Sequence, residues 1–236
     1  MHQNSGNYTS VSKLRIILTG ASGFVGEGVL LAALAHPVVE EILMINRRHQ
    51  DIQHAKLKGL IVPDLFQIEK FQEHLVGYNA CFFCAGISSV GMNEEKYSSI
   101  TYDLTMQFAQ TLLKVNPAMT FNFVSGSHTD SSEKGKVMWA RIKGKTENAL
   151  MKLPFQNEYN FRPGGMLPVY GQQHVKPLYK FIVKTLKFLI PQKIVSLEEV
   201  SLAMINAAIQ GYPKQILEIA DIKELANTRV KKINKE

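Results

Sequence analysis

Leu14-Arg15-Ile16-Ile17-Leu18-Thr19-Gly20-Ala21-Ser22-Gly23-Phe24-Val25-Gly26 decides how this chain is read. Its first half is a short apolar run rich in isoleucine and leucine, the pattern of a buried strand. Glycines follow at 20, 23 and 26, and Val29-Leu30-Leu31-Ala32-Ala33-Leu34 then reads as a helix. Strand, glycine turn and helix, in that order, give the spacing its meaning. A turn without side chains lets the backbone of Gly20, Ser22, Gly23, Phe24, Val25 and Gly26 approach a pyrophosphate. The helix N-terminus adds partial positive charge there. Gly26 lets the helix pack closely on the strand. The expectation is a dinucleotide-binding α/β fold with a doubly wound parallel sheet.

Composition sets the bounds. The chain has 236 residues, of which 45% are hydrophobic, enough for one sizeable core. A frayed polar arm is expected over residues 1–12, the dinucleotide-binding domain over 13–165, and a small C-terminal lobe continuous with it over 166–236. Nothing at the start resembles a signal peptide, and the apolar stretch Phe181 to Ile190 is interrupted by Lys184 and Lys187 and is too short to span a bilayer. A soluble, cytoplasmic protein without integral membrane association is therefore expected. Cys81 and Cys84 form a Cys-x-x-Cys within an apolar strand, where residues three apart point to opposite faces. They read as buried, unlinked thiols, and no metal site is expected. The net charge of +7 suits anionic ligands without choosing among nucleotide, nucleic acid and membrane surface.

Along the chain, Glu41 to Ile45 reads as the second strand and ends at Asn46-Arg47-Arg48. A dinucleotide fold meets the adenosine ribose at this point. An acid here would bind the 2′-hydroxyl of NAD and repel a 2′-phosphate. A neutral asparagine followed by two guanidinium groups favours NADP over NAD. Leu60-Ile61-Val62 reads as a third strand, with Asp64 beyond it placed either to accept from an adenine amino group or to cap the next helix. A fourth strand runs from Ala80 to Cys84 and exits through Ala85-Gly86, where small residues let a cofactor ribose lie close. A helical pattern spans Glu94 to Val115, with Tyr97 and Tyr102 on it. Thr120 to Val124 forms a fifth strand delivering Ser125-Gly126-Ser127-His128-Thr129-Asp130 to a loop. A helix opening near Lys136 then places Trp139 and Lys143 on one face, and Tyr159 to Arg162 is a sixth strand broken by Pro163-Gly164-Gly165.

These parts together resemble the short-chain dehydrogenase/reductase superfamily, in its extended and atypical epimerase/dehydratase-like branch. The likeness rests on Thr19-Gly20-x-x-Gly23-x-x-Gly26, the serine after strand five, Lys143 and Arg162-Pro163-Gly164, and it runs through nearly the whole chain. It implies a Rossmann sheet and a site in which a serine polarises the substrate, a tyrosine exchanges its proton, and a lysine lowers the tyrosine's pKa and holds the nicotinamide ribose. Lys143 takes the lysine's role. Ser125, with Ser127 close behind, takes the serine's. Residues Arg162, Pro163 and Gly164 neighbour the nicotinamide. The tyrosine position, four before the lysine, holds Trp139, whose indole N–H only donates and cannot serve as general acid or base. On the serine loop His128 or Asp130 is a candidate substitute proton donor, the other reading of both being a solvated side chain.

The C-terminal part is short. Ser196 with Glu198 and Glu199 reads as a helix N-terminus, and the helix stops at Gly211. Little chain is left to build a sugar-nucleotide pocket, so a small or hydrophobic substrate is expected. Lys176, Lys180, Lys184 and Lys187 form a basic stripe beside apolar residues over 176–190. Its readings are a surface helix, a membrane-surface contact or a homodimer contact. The basic tail is too short to argue for nucleic acid. The expected function is an atypical NADP-dependent oxidoreductase, with a non-catalytic NADP-binding redox sensor as the alternative.

Overall fold

The computed structural model describes residues 13–173, 175 and 191–228. The expected arm at 1–12 and the basic stretch at 176–190 lie outside the described residues.

β1 (Leu14–Thr19) is the central strand, and its side chains divide by parity. Leu14, Ile16 and Leu18 enter one apolar core while Ile17 enters the other. A strand covered on both faces needs a continuous apolar run, which is what the sequence supplies. Its neighbours are β2 (Val39–Asn46) and β4 (Ala80–Phe83). β3 (Leu57–Ile61) pairs with β2 at one edge; β5 (Thr120–Val124) and β6 (Asn157–Phe161) extend the other side. With β9 (Ile216–Leu217) they form one parallel seven-stranded sheet in the order β3-β2-β1-β4-β5-β6-β9. α1 (Phe24–Ala35), α5 (Leu197–Gln210) and α6 (Ile219–Asn227) cover one face; α3 (Leu104–Val115) and α4 (Met138–Leu150) contribute to the other core. The strand order reverses between β1 and β4, so the crevice beyond their carboxyl ends is where such a sheet places a ligand. Cys81 lies in one core and Cys84 packs on the other, both as free thiols.

Two features depart from the sequence reading. The helical pattern expected to run unbroken from Glu94 comes as α2 (Glu94–Ser98), a wider π turn over Ser99–Asp103, and then α3. The C-terminal residues also build into the main sheet, because β9 is its edge strand and α5 packs along α1. A two-residue strand has no period to read. β7 (Gly165–Leu167) and β8 (Ile194–Ser196) form a separate parallel pair, equally short. The start of α5 matches its expectation: Ser196 and Glu199 make a reciprocal capping box, and Gly211 ends the helix at φ 72°.

β6 carries a carboxyl group into the core. Glu158 and Asn160 pair in register with Phe121 and Phe123, so they face the same apolar layer. Glu158 is 3% exposed, and its Oε2 accepts from Asn160 Nδ2 at 3.0 Å. Burial, reinforced by the nearby charge of Glu147, pushes its pKa from 4.5 up to about 9. The folded chain thus keeps a proton that the unfolded chain loses near its ordinary value. Stability contributed this way falls as pH rises between those two values. Glu158→Gln is expected to remove that slope and raise stability at pH 8 by at least about 1 kcal/mol, roughly 3 °C in Tm. Thermal melts of both proteins at pH 5 and pH 8 check this; an unchanged alkaline slope would count against a protonated Glu158.

Candidate dinucleotide and active site

The glycine turn is built by close backbone contacts. Gly20 adopts φ 74°, and a Cβ there would lie 2.6 Å from the Cys84 carbonyl carbon. Gly23 N donates to Gly20 O at 2.9 Å, closing the turn, and Glu27 N donates to Gly23 O at 2.9 Å as α1 begins. A Cβ on Gly26 would stand 2.2 Å from Gly20 O. Helix and turn therefore touch at a distance only glycine permits. No side chain caps the N-terminus of α1, whose N-cap is Gly23. Thr19 Oγ1 accepts from Ala85 N at 3.1 Å, tying the exits of β1 and β4 together.

These exits open onto a cavity of about 560 Å³. Gly20, Ser22 and Gly23 form one end, with Ala85 and Gly86 beside them; Asn46 and Arg47 at the end of β2, Asp64 to Phe66 after β3, and Ile100 and Leu104 complete it. Phe24 and Val25 sit behind this loop in the first turn of α1. Asn46 is buried, and its Nδ2 has no hydrogen-bond partner among the described residues. A buried unpaired donor is costly without a ligand to meet it. The two arginines separate: Arg47 lines this cavity, and Arg48 lines a smaller one of about 110 Å³ with His49 and Gln50. Asp64 takes the capping place, accepting from Phe66 N at 3.1 Å at the start of the 3₁₀ stretch Leu65–Leu75, and it also lines the cavity. An orphaned amide, a glycine turn that leaves backbone facing the cavity at Gly20 and Gly23, and a strand end bearing Asn46 and Arg47 fit an adenosine and its pyrophosphate.

The second group of residues gathers at the end of β5. Ser125 is buried, with its Oγ 3.1 Å from Thr129 Oγ1, which also donates to Gly126 O at 2.8 Å. Lys143 reaches across from α4 to donate to Ser125 O at 2.9 Å, and its ammonium lies 5.8 Å from the centre of the Phe123 ring. Burial lowers its pKa from 10.5 to about 8, against the pull of Glu147 in the other direction. Trp139, one turn before Lys143, lies near Gly126, with a ring atom 4.0 Å from where a Cβ would stand on that glycine. α4 is clamped onto the serine loop at Gly144, where a Cβ would meet Asp130 O at 1.8 Å. Ser127 donates its backbone N–H to Pro163 O at 3.0 Å, joining this loop to the exit of β6.

Several side chains have duties different from those expected. The Asp130 carboxylate accepts from Ser132 Oγ at 2.6 Å, Ser132 N at 3.0 Å and Gly135 N at 2.6 Å. These bonds hold its pKa below the usual value, so it is ionised at neutral pH and has no proton to give. His128 is exposed with φ 67°. Arg162 is engaged by partners within the protein. Its guanidinium donates to the fully buried Glu147 at 3.0 and 3.2 Å, to Glu218 at 3.1 Å and to Ser131 Oγ at 2.6 Å. Removing one partner of such a buried pair costs about 3–5 kcal/mol. Gly164 is small because Lys193 O and Ile219 crowd it. Residues 162–164 therefore offer a ligand mainly backbone. Tyr97 is 2% exposed, and Tyr102 lies under Lys145 Nζ at 4.2 Å from its ring centre. Thr129 and Glu147 were not anticipated from the sequence, because their contacts with Ser125 and Arg162 form only on folding. Among the described residues there is no cluster of metal-ligating side chains, and no helix is long and apolar enough to cross a membrane.

Sheet order, glycine cradle and cavity define a dinucleotide-binding protein of the doubly wound class. The NAD dependent epimerase/dehydratase family matches residues 16–138, more than half the chain, and the chain belongs to that family. A nicotinamide dinucleotide is the family's cofactor. Among curated proteins it is similar to "Protein fmp52-1, mitochondrial" of Aspergillus terreus, 26% identical over 155 residues, or 63% of this chain and 65% of that protein. It is also similar to "Protein FMP52, mitochondrial" of Candida albicans, 24% identical over 161 residues, or 66% and 69%. The chain thus spans about two thirds of the length of the curated relatives it matches. Their names, mitochondrial in each case, overturn the cytoplasmic location expected from composition. Among solved structures, the UDP-N-acetylglucosamine 4-epimerase of Methanobrevibacter ruminantium superposes with a TM-score of 0.65 at 14% identity over 88% of this chain and 76% of that one. WbmF of Bordetella bronchiseptica, solved with NAD+, gives 0.61 at 14% over 96% and 83%. The carbonyl reductase Sniffer of D. melanogaster gives 0.62 at 14% over 89% and 97%. Likenesses at this identity establish the shared fold.

Proposed function

We propose that this chain is an atypical NADP-dependent oxidoreductase acting on a small or hydrophobic carbonyl or alcohol. The observation that carries the cofactor choice is the β2 end of the cavity, where buried Asn46 presents an unpaired amide beside Arg47 and no carboxylate lies at the strand end. A nicotinamide held here supplies a hydride. In this reading Lys143 holds the ribose hydroxyls, Ser125 orients the substrate oxygen, and residues 166–236 furnish the substrate side. The mitochondrial names of the relatives support a mitochondrial setting. Trp139 favours a second reading, a redox sensor that binds NADP without turning over, because the indole has no exchangeable proton of useful acidity.

Calorimetric titration tests the choice. NADPH is expected to bind at least about tenfold more tightly than NADH, and Arg47→Ala/Arg48→Ala to erase that difference. Equal affinities in the wild type would remove the argument.

A further inference from the structure

We infer that Gln107 is a positioning residue for the adenine half of the ligand, because it clasps one wall of the cavity to the other; the inference rests on the dinucleotide reading above. One wall is the segment Asp64 to Phe66, the other Ile100 and Leu104. The first wall leaves the sheet at Val62, whose N still donates to Asn46 O at 2.9 Å. Beyond that point Asp64 organises it only locally, through Phe66 N at 3.1 Å and Gln67 Nε2 at 3.3 Å. Gln107, on α3, donates its side-chain N–H to Phe66 O and joins the two walls directly. An exposed pair farther along, Lys114 with Glu69 at 3.0 Å, lies away from the cavity lining.

The wide turn explains why Gln107 can reach. The π turn over Ser99–Asp103 shifts the register of the helix, bringing Ile100 and Leu104 to the cavity with Gln107 three residues beyond. Thr105 Oγ1 donates to Thr101 O at 2.7 Å, bonding a carbonyl inside that turn. A flat purine needs a slot of fixed width. Behind that slot Leu65, Ile68 and Phe71 share a core with Phe108 and Leu112 of α3 and keep the stretch docked. The amide–carbonyl bond fixes the Phe66 backbone at the cavity edge, so its loss loosens that edge without altering the pyrophosphate cradle or the residues around Ser125.

The test compares three probes on wild type and Gln107→Met, which keeps the reach and loses the donor: NADPH, 5′-AMP and reduced nicotinamide mononucleotide. NADPH and 5′-AMP are expected to bind about five- to tenfold more weakly to the variant, with the mononucleotide unchanged within about twofold. Ile100→Ala, which thins the opposite wall and leaves the clasp intact, is the second variant, with the same split expected. A general folding defect would weaken all three probes alike, and that result, or no change in any, would overturn the inference. Wild-type protein that binds neither NADPH nor 5′-AMP would instead refute the dinucleotide reading, and the inference with it.

Discussion

Gly26→Ala is expected to weaken NADPH binding by at least about a hundredfold and to lower the melting temperature in the absence of cofactor. The added methyl would stand 2.2 Å from Gly20 O, where real Cβ contacts stay above 3.0 Å. The obstacle is backbone, so no side chain can swing aside. Either α1 moves off the sheet or the turn opens, and both change the helix start at Gly23, which no side chain caps and which lines the cavity. Gly23→Ala provides the contrast, since its methyl would meet Gly20 O at 3.4 Å, an ordinary contact. Gly23 lines the cavity, so that variant should melt like wild type and lose affinity alone. Parallel melts and titrations separate the two effects. A Gly26→Ala protein with normal stability and normal affinity would mean that the turn is not the ligand cradle.

Trp139→Tyr is expected to raise turnover of aldehydes and ketones by about 10²–10⁴-fold while leaving NADPH affinity near its wild-type value. The partners that a phenol would need are in place: Lys143 lies one helical turn away, its pKa lowered by burial to about 8, and Ser125 is fixed against Thr129. A neighbouring ammonium brings a phenol's pKa toward neutrality, which an indole cannot imitate. Brisk wild-type turnover that persists in His128→Ala, Tyr97→Phe and Ser127→Ala would refute the missing-acid argument. Tight NADPH binding with no turnover would favour the sensor.

The sequence was most legible where periodicity and glycine chemistry coincide. β1, the turn and α1 follow from one stretch because an apolar run, three spaced glycines and a helical pattern each demand the same geometry. The capping box at Ser196 was equally local. Pairings across the fold were not legible. Arg162 reads as a residue beside the nicotinamide until α4 brings in Glu147, 15 residues earlier, and α6 brings in Glu218, 56 residues later. Gln107 meets Phe66 across 41 residues through a helix whose π turn leaves no sequence signal. β9 is too short to alternate, so in the sequence the edge strand of the sheet reads as part of a small C-terminal lobe continuous with the domain. The two arginines at 47 and 48 looked equivalent because only the fold sends them to different cavities.

A crystal structure with NADP+ bound would show the groups around nicotinamide C4. The expected geometry has the ring packed beside Trp139, the Lys143 ammonium within about 3.2 Å of the ribose hydroxyls, and Ser125 Oγ facing the substrate space. It also has the 2′-phosphate against Arg47 and no tyrosine hydroxyl, imidazole or carboxyl group within hydrogen-bond reach of a substrate oxygen placed at C4. A nicotinamide directed away from Trp139, or a protonatable side chain already poised at that oxygen, would contradict it.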